Sequence, residues 1–94
     1  MKIKLYSMMR AKVGQSLVEV TAPPNATVRH ILTDLTARYP VLEDAIWDKR
    51  GDLFGSVHVL VNGRDARYLN GLDTPIQPDD AVDIFPPVGG GNDE

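Results

Sequence analysis

Apolar and charged residues alternate at the start of the chain. Ile3 and Leu5 fall on one side of residues 2–6 and Lys2 and Lys4 on the other, the period-two pattern of a half-buried strand. A second alternating run, residues 15–20, sets Val18 and Val20 against Glu19. Residues 8–14 between the two runs, closing on Gly14, read as a hairpin loop. The period then changes. Val28, Ile31, Leu32, Leu35 and Tyr39 recur at offsets 0, 3, 4, 7 and 11, one continuous helical stripe. Thr27 suits the N-cap of that helix, Arg29, Asp34 and Arg38 point away from the stripe, and Pro40 stops it.

After the helix, residues 41–47 predict a short helical turn in which Leu42 and Ile46 are paired four apart. Residues 48–55 are polar and contain glycine, as a loop does. Val57-His58-Val59-Leu60-Val61 is a strong strand signal and Asn62-Gly63 a turn signal. Residues 67–69 predict a brief edge strand, and residues 72–80, with Pro75 and Pro78, a turn-rich connection. Residues 81–85 form the last strand, with Val82 and Ile84 alternating against Asp83 and Phe85. The order is β-β-α-β-(β)-β. A right-handed crossover lets the first and last strands lie side by side and parallel. The predicted fold class is therefore α+β, a β-grasp with a mixed four- to five-stranded sheet and one main helix packed across it.

Composition narrows the functions. Ninety-four residues make one domain with one modest core, expected as a body over residues 1–88 and a glycine tail with a C-terminal extension over residues 89–94. Ten basic residues against thirteen acids give a net charge of -3, which argues against nucleic acid as a partner. The absence of cysteine excludes disulfides, thiolate metal sites and a cysteine nucleophile. No apolar run approaches the roughly 18 residues of a membrane span, and the first residues lack a signal-peptide pattern, so no membrane partner and a cytoplasmic location are expected. His30 and His58 have no ligand-like neighbours and are assigned structural or surface roles, with no bound metal. Asp44, Asp48 and Asp52 recur every fourth residue without matching a calcium loop. Asp79-Asp80 is expected to shape the turn before the last strand, Trp47 to act as a lid on the core, and Met8 and Met9 to pack.

The end of the chain reads Phe85-Pro86-Pro87-Val88-Gly89-Gly90-Gly91-Asn92-Asp93-Glu94. Two prolines remove ladder donors and end the strand. The glycines then make a thin arm without side chains, fit to enter a narrow tunnel in another protein. Extended, residues 88–91 span roughly 13 Å. The prolines stiffen the root of the arm. Such a shape suits chemistry on a main-chain carboxyl group. As written, Asn92-Asp93-Glu94 cover the glycine carboxyl.

These features together resemble the ubiquitin-like small sulfur-carrier proteins, which include the small subunit of molybdopterin synthase, the thiamine-pathway sulfur carrier and the carrier of a thiocarboxylate route to cysteine. The resemblance rests on residues 27–35, Val59-Leu60-Val61-Asn62-Gly63, Arg67 with Gly71-Leu72-Asp73-Thr74, and the run from Asp79 to Val88 ending Phe-Pro-Pro-Val before the glycines. In that family the chain ends with Val, one small residue and Gly-Gly. The resemblance thus assigns Gly89 as spacer, Gly90-Gly91 as the working pair and Gly91 as the acyl-adenylate and thiocarboxylate site. It implies a carrier with no cofactor of its own, not an enzyme. A partner adenylating enzyme of the E1-like type spends ATP on the glycine carboxylate, a sulfur donor displaces AMP, and a sulfur-accepting synthase takes the product. Asn92-Asp93-Glu94 depart from the pattern. Some members carry such extensions and lose them to a metal-dependent peptidase, which becomes a further expected partner.

The strand alternation suggests where a partner docks. With Val57, Val59 and Val61 facing the helix, Leu60 faces outward, and with Val82 and Ile84 inward, so does Phe85. Leu60 and Phe85 are expected to form an exposed apolar patch leading through Pro86, Pro87, Val88 and Gly89 to the tail. Leu60→Asp is expected to weaken activating-enzyme binding with the fold intact. The resemblance leaves the cysteine-type and molybdopterin-type routes open, and the need to free Gly91 favours the former. Two other readings stand beside the carrier: a protein modifier joined to lysines through Gly91, and a β-grasp binding module whose tail stays blocked.

Overall fold

The alternating N-terminal run becomes β1, Lys2–Leu5, with Ile3 and Leu5 fully buried. The structure, a computed structural model, describes residues 1–86. Val18 anchors β2, Leu17–Glu19, which pairs antiparallel with β1. Between them lies a helix, α1, Ser7–Val13, where the sequence pattern predicts a loop. The segment is rich in helix formers, and its core contacts come from only Met9, buried, and Val13, partly buried. Two apolar residues four apart make no visible stripe. Ser7 enters at φ 54°, and Gly14 closes the helix at φ 83° while its N–H donates to Arg10 O at 2.8 Å.

The apolar stripe becomes α2, Val28–Arg38, whose Val28, Ile31, Leu32 and Leu35 are completely buried. Thr27 is its N-cap, and the Thr27 N–H donates to His30 Nδ1 at 2.9 Å. His30 thus does what Glu or Gln usually does at the third helical position, which is the structural role expected of it. Tyr39 caps the helix at its C-terminus and packs partly buried against the core. Pro40 opens a 3₁₀ turn, Pro40–Leu42, that runs into α3, Glu43–Ile46. Leu42 and Ile46 are both buried, as their spacing predicts. Trp47 closes this end, its Nε1–H donating to Thr36 Oγ1 at 3.3 Å. In the following loop Asp48 Oδ1 accepts from the N–H groups of Arg50 (2.8 Å) and Asp52 (3.0 Å), a turn-forming role.

β3, His58–Val61, places Val59 and Val61 in the core. Asn62 and Gly63 both have positive φ, 53° and 83°, the primed two-residue hairpin. That turn sets Val61 opposite Arg64 at once, so the edge strand β4 is Arg64–Asp65. Residues 67–69 are therefore not a strand. Asp65 Oδ1 accepts the Arg67 N–H at 3.0 Å and starts a 3₁₀ turn, Ala66–Tyr68. Asp80 shapes the last turn as expected, accepting from Gln77 N–H at 2.7 Å and from Asn62 Nδ2 at 2.9 Å.

β5, Val82–Phe85, lies at the centre of a sheet ordered β2-β1-β5-β3-β4. It runs parallel to β1, with Ile3 opposite Val82, and antiparallel to β3, with Val59 opposite Ile84. The fold is the α+β, ubiquitin-like β-grasp, a mixed five-stranded sheet with α2 as its main helix.

Candidate functional site: the root of the C-terminal tail

The end of β5 delivers the chain to the tail. Phe85 is the last strand residue, and it sits opposite His58 of β3. Tyr6, just past β1, stacks on Phe85 with ring centroids 4.1 Å apart and planes 17° from parallel. The Tyr6 hydroxyl donates to Asp83 Oδ1 at 3.0 Å, and Lys4 Nζ lies 5.3 Å from the centre of the Tyr6 ring. Pro86 is buried, so it anchors the root and presents little surface. The other predicted tail residues, Pro87, Val88, Gly89, Gly90 and Gly91, lie outside the described residues.

Leu60 and Phe85 both point away from α2, as the alternation predicts, but both are only half-buried and neither stands proud of the sheet. The face they share is mixed. One cross-strand row reads Leu17, Lys4, Asp83, Leu60 and Asp65. The next holds Tyr6, Phe85 and His58. Sequence alternation places residues on a face but leaves the covering of Phe85 by Tyr6 invisible, because that contact joins residues from opposite ends of the chain. Leu60→Asp, expected from sequence to spare the fold, would set three carboxylates abreast in this row, a destabilising arrangement.

A polar network closes the β3–β4 side of the site. His58 Nδ1 and Asp65 Oδ2 are 2.7 Å apart, and Arg67 Nε donates to Asp65 Oδ1 at 3.3 Å. Partial burial pulls the Asp65 pKa upward, but the hydrogen bonds from His58 and the Arg67 N–H, with the Arg67 charge, outweigh it and hold the carboxyl below its ordinary range. His58 and Arg67 thus have partners that sequence reasoning missed. The available signal was the two-residue turn at Asn62-Gly63, which fixes Asp65 opposite Leu60 and diagonal to His58. Among the described residues no three His, Asp or Glu side chains gather as metal ligands, and no helix is long and apolar enough to cross a membrane. Among the described residues, none at the root are arranged as a nucleophile and base. What the arrangement does is hold the last rung of the sheet, with Phe85 opposite His58 and covered by Tyr6.

Residues 3–91 match the ThiS family, nearly the whole chain. The chain belongs to the ThiS family of ubiquitin-like sulfur carriers. Small archaeal modifier protein 3 of Haloferax volcanii is 34% identical over 91 residues, covering 97% of this chain and 98% of that protein. Sulfur carrier protein CysO of Mycobacterium tuberculosis is 36% identical over 67 residues, covering 69% of this chain and 72% of CysO. The crystal structure of SAMP1 from Haloferax volcanii superimposes with a TM-score of 0.86 at 31% identity, covering 96% of this chain and 97% of that one. Members of the family are small carrier proteins rather than catalysts. The match to the family ends at Gly91, the residue that the tail pattern singles out.

Proposed function

We propose that this protein is a sulfur carrier whose working end is the carboxyl group of Gly91. The observation that carries the reading is the extent of the family match, which stops at Gly91 and leaves Asn92-Asp93-Glu94 beyond it. The carboxylate attacks the α-phosphorus of ATP on a partner adenylating enzyme, giving the acyl-adenylate and pyrophosphate. A sulfur donor then displaces AMP and leaves the thiocarboxylate, which a synthase accepts. Glycine suits this step because the reacting carbonyl must be reached by both ATP and the sulfur donor, and orientation carries much of such catalysis. A metal-dependent peptidase first hydrolyses the Gly91–Asn92 bond, and a cysteine-type route is the favoured destination. The mixed face around Leu60 and Phe85 is the docking surface.

A second reading has its own support. The full-length likeness to small archaeal modifier protein 3 favours attack on the same acyl-adenylate by a lysine amine, with an isopeptide product. Intact mass spectrometry of the protein from its own cells separates the outcomes. Loss of Asn92-Asp93-Glu94 with one oxygen replaced by sulfur at Gly91 supports the carrier. Larger species on a denaturing gel, with lysines bearing a C-terminal Gly91 remnant, support the modifier. Full-length protein alone, under growth that demands sulfur transfer, overturns both.

The docking surface is tested at Leu60. Leu60→Lys inserts a cation between Asp83 and Asp65, and so keeps the cross-strand row balanced. It is expected to fold as the wild type does and to bind the activating enzyme at least about tenfold more weakly, about 1.4 kcal/mol. Unchanged affinity in a titration would remove Leu60 from the interface.

A further inference from the structure

The edge strand β4 pairs only with Leu60 and Val61. The sheet ends there, so His58 and the residues before it have no strand beside them on that side. A side chain stands in for the missing strand. Arg67 Nη2 donates to Val57 O at 3.0 Å and to Gly55 O at 2.7 Å, while its Nε donates to Asp65 Oδ1. The other Asp65 oxygen holds His58 Nδ1. One guanidinium and one carboxylate thus tie residues 55, 57 and 58 to the 3₁₀ turn that follows β4. On the opposite side of β3, the residue paired with His58 is Phe85, the last rung before the tail.

We propose that Arg67 is a positioning residue for the tail: by holding residues 55–58 it fixes the final β3–β5 rung and so the direction in which the chain leaves the sheet. The inference rests on the proposed function for its consequence, because a misdirected arm presents the Gly91 carboxylate to ATP at the wrong angle. Misplacement by about 1 Å is enough to cost on the order of a hundredfold in rate. Arg67 does not touch the reacting atoms. Its fork bonds two carbonyls through one nitrogen and a carboxylate through another, a geometry that lysine does not reproduce.

Two measurements test this. The first is amide hydrogen exchange on the full chain, comparing wild type with Arg67→Met, which keeps the apolar stem and loses the fork. Exchange at Phe85 and His58 is expected to rise at least about tenfold, with Ile3 and Val18 on the far side of the sheet unchanged. The second is ATP–pyrophosphate exchange catalysed by the organism's own E1-like enzyme, with the carrier ending at Gly91, the mature form under the proposed function. Arg67→Met is expected to lower kcat at least about tenfold with KM within about twofold, and Arg67→Lys to restore only part of it. A rise in KM alone would make Arg67 a docking contact and overturn the proposal, as would unaltered exchange at Phe85 or full recovery by lysine. If the wild-type carrier supports no pyrophosphate exchange, the proposed function fails, and the amide measurement alone decides whether Arg67 sets the last rung.

Discussion

Replacing Ile84 by alanine is expected to lower the free energy of unfolding by about 3 to 4 kcal/mol. Ile84 is fully buried in the central strand, opposite Leu5 of β1 and Val59 of β3, which are themselves buried. Neighbouring strands on both sides restrain the backbone, so the space left by three carbons collapses poorly. The cost then combines lost transfer energy with a persistent cavity. A small domain has only about 5 to 15 kcal/mol to lose, so the variant is expected to sit close to its unfolding limit at growth temperature. Leu17→Ala is the control, because Leu17 is 48% exposed on an edge strand and a loss within about 0.5 kcal/mol is expected there. Urea titrations of both variants with an unchanged m-value check the pair. A loss under about 1 kcal/mol at Ile84 would contradict the central placement of β5.

The largest functional effect is expected at Gly91. Under the proposed function, Gly91→Val in the form ending at residue 91 is expected to reduce adenylation and thiocarboxylate formation at least about a hundredfold, about 2.7 kcal/mol in transition-state terms. A β-branched side chain there would crowd both faces of the carbonyl that, in the proposed reaction, ATP and the sulfur donor approach. Gly89→Ala occupies the place where the sulfur-carrier pattern takes any small residue, so it is expected to retain activity within about twofold. Both changes lie beyond the last strand and should leave the unfolding midpoint where it was. Equal loss in the two variants would mean that the arm tolerates no side chain anywhere, and that Gly91 has no special standing.

Local pattern exposed some of this molecule and hid the rest for definite reasons. α2 was legible because four of its residues are wholly buried on one stripe and Thr27 and Pro40 bracket it. α1 was hidden because a seven-residue helix with Met9 and Val13 as its inward residues has no periodicity to detect. Gly14 in the left-handed conformation was the available clue. β4 was misplaced by three residues because its shortness, two residues, leaves no alternation, although the Asn62-Gly63 turn dictates where pairing resumes. At the site, the outward placement of Leu60 and Phe85 followed from strand alternation. The stack of Tyr6 on Phe85 and the bonds from Arg67 to Gly55 and Val57 did not, since each depends on a tertiary approach that no local pattern encodes.

The parallel pairing of Ile3 with Val82 joins the two ends of the chain at the middle of the sheet. Contacts so distant in sequence form late and slowly, and during synthesis β1 must wait for the last strand to be made. A chain cut short anywhere before β5 lacks the centre of its sheet as well as its tail. The tail therefore follows the final piece of the fold to arrive, and under the proposed function an activating enzyme that needs both body and tail meets them together. Under the proposed function, completion of folding thereby acts as a licence for the chemistry at Gly91.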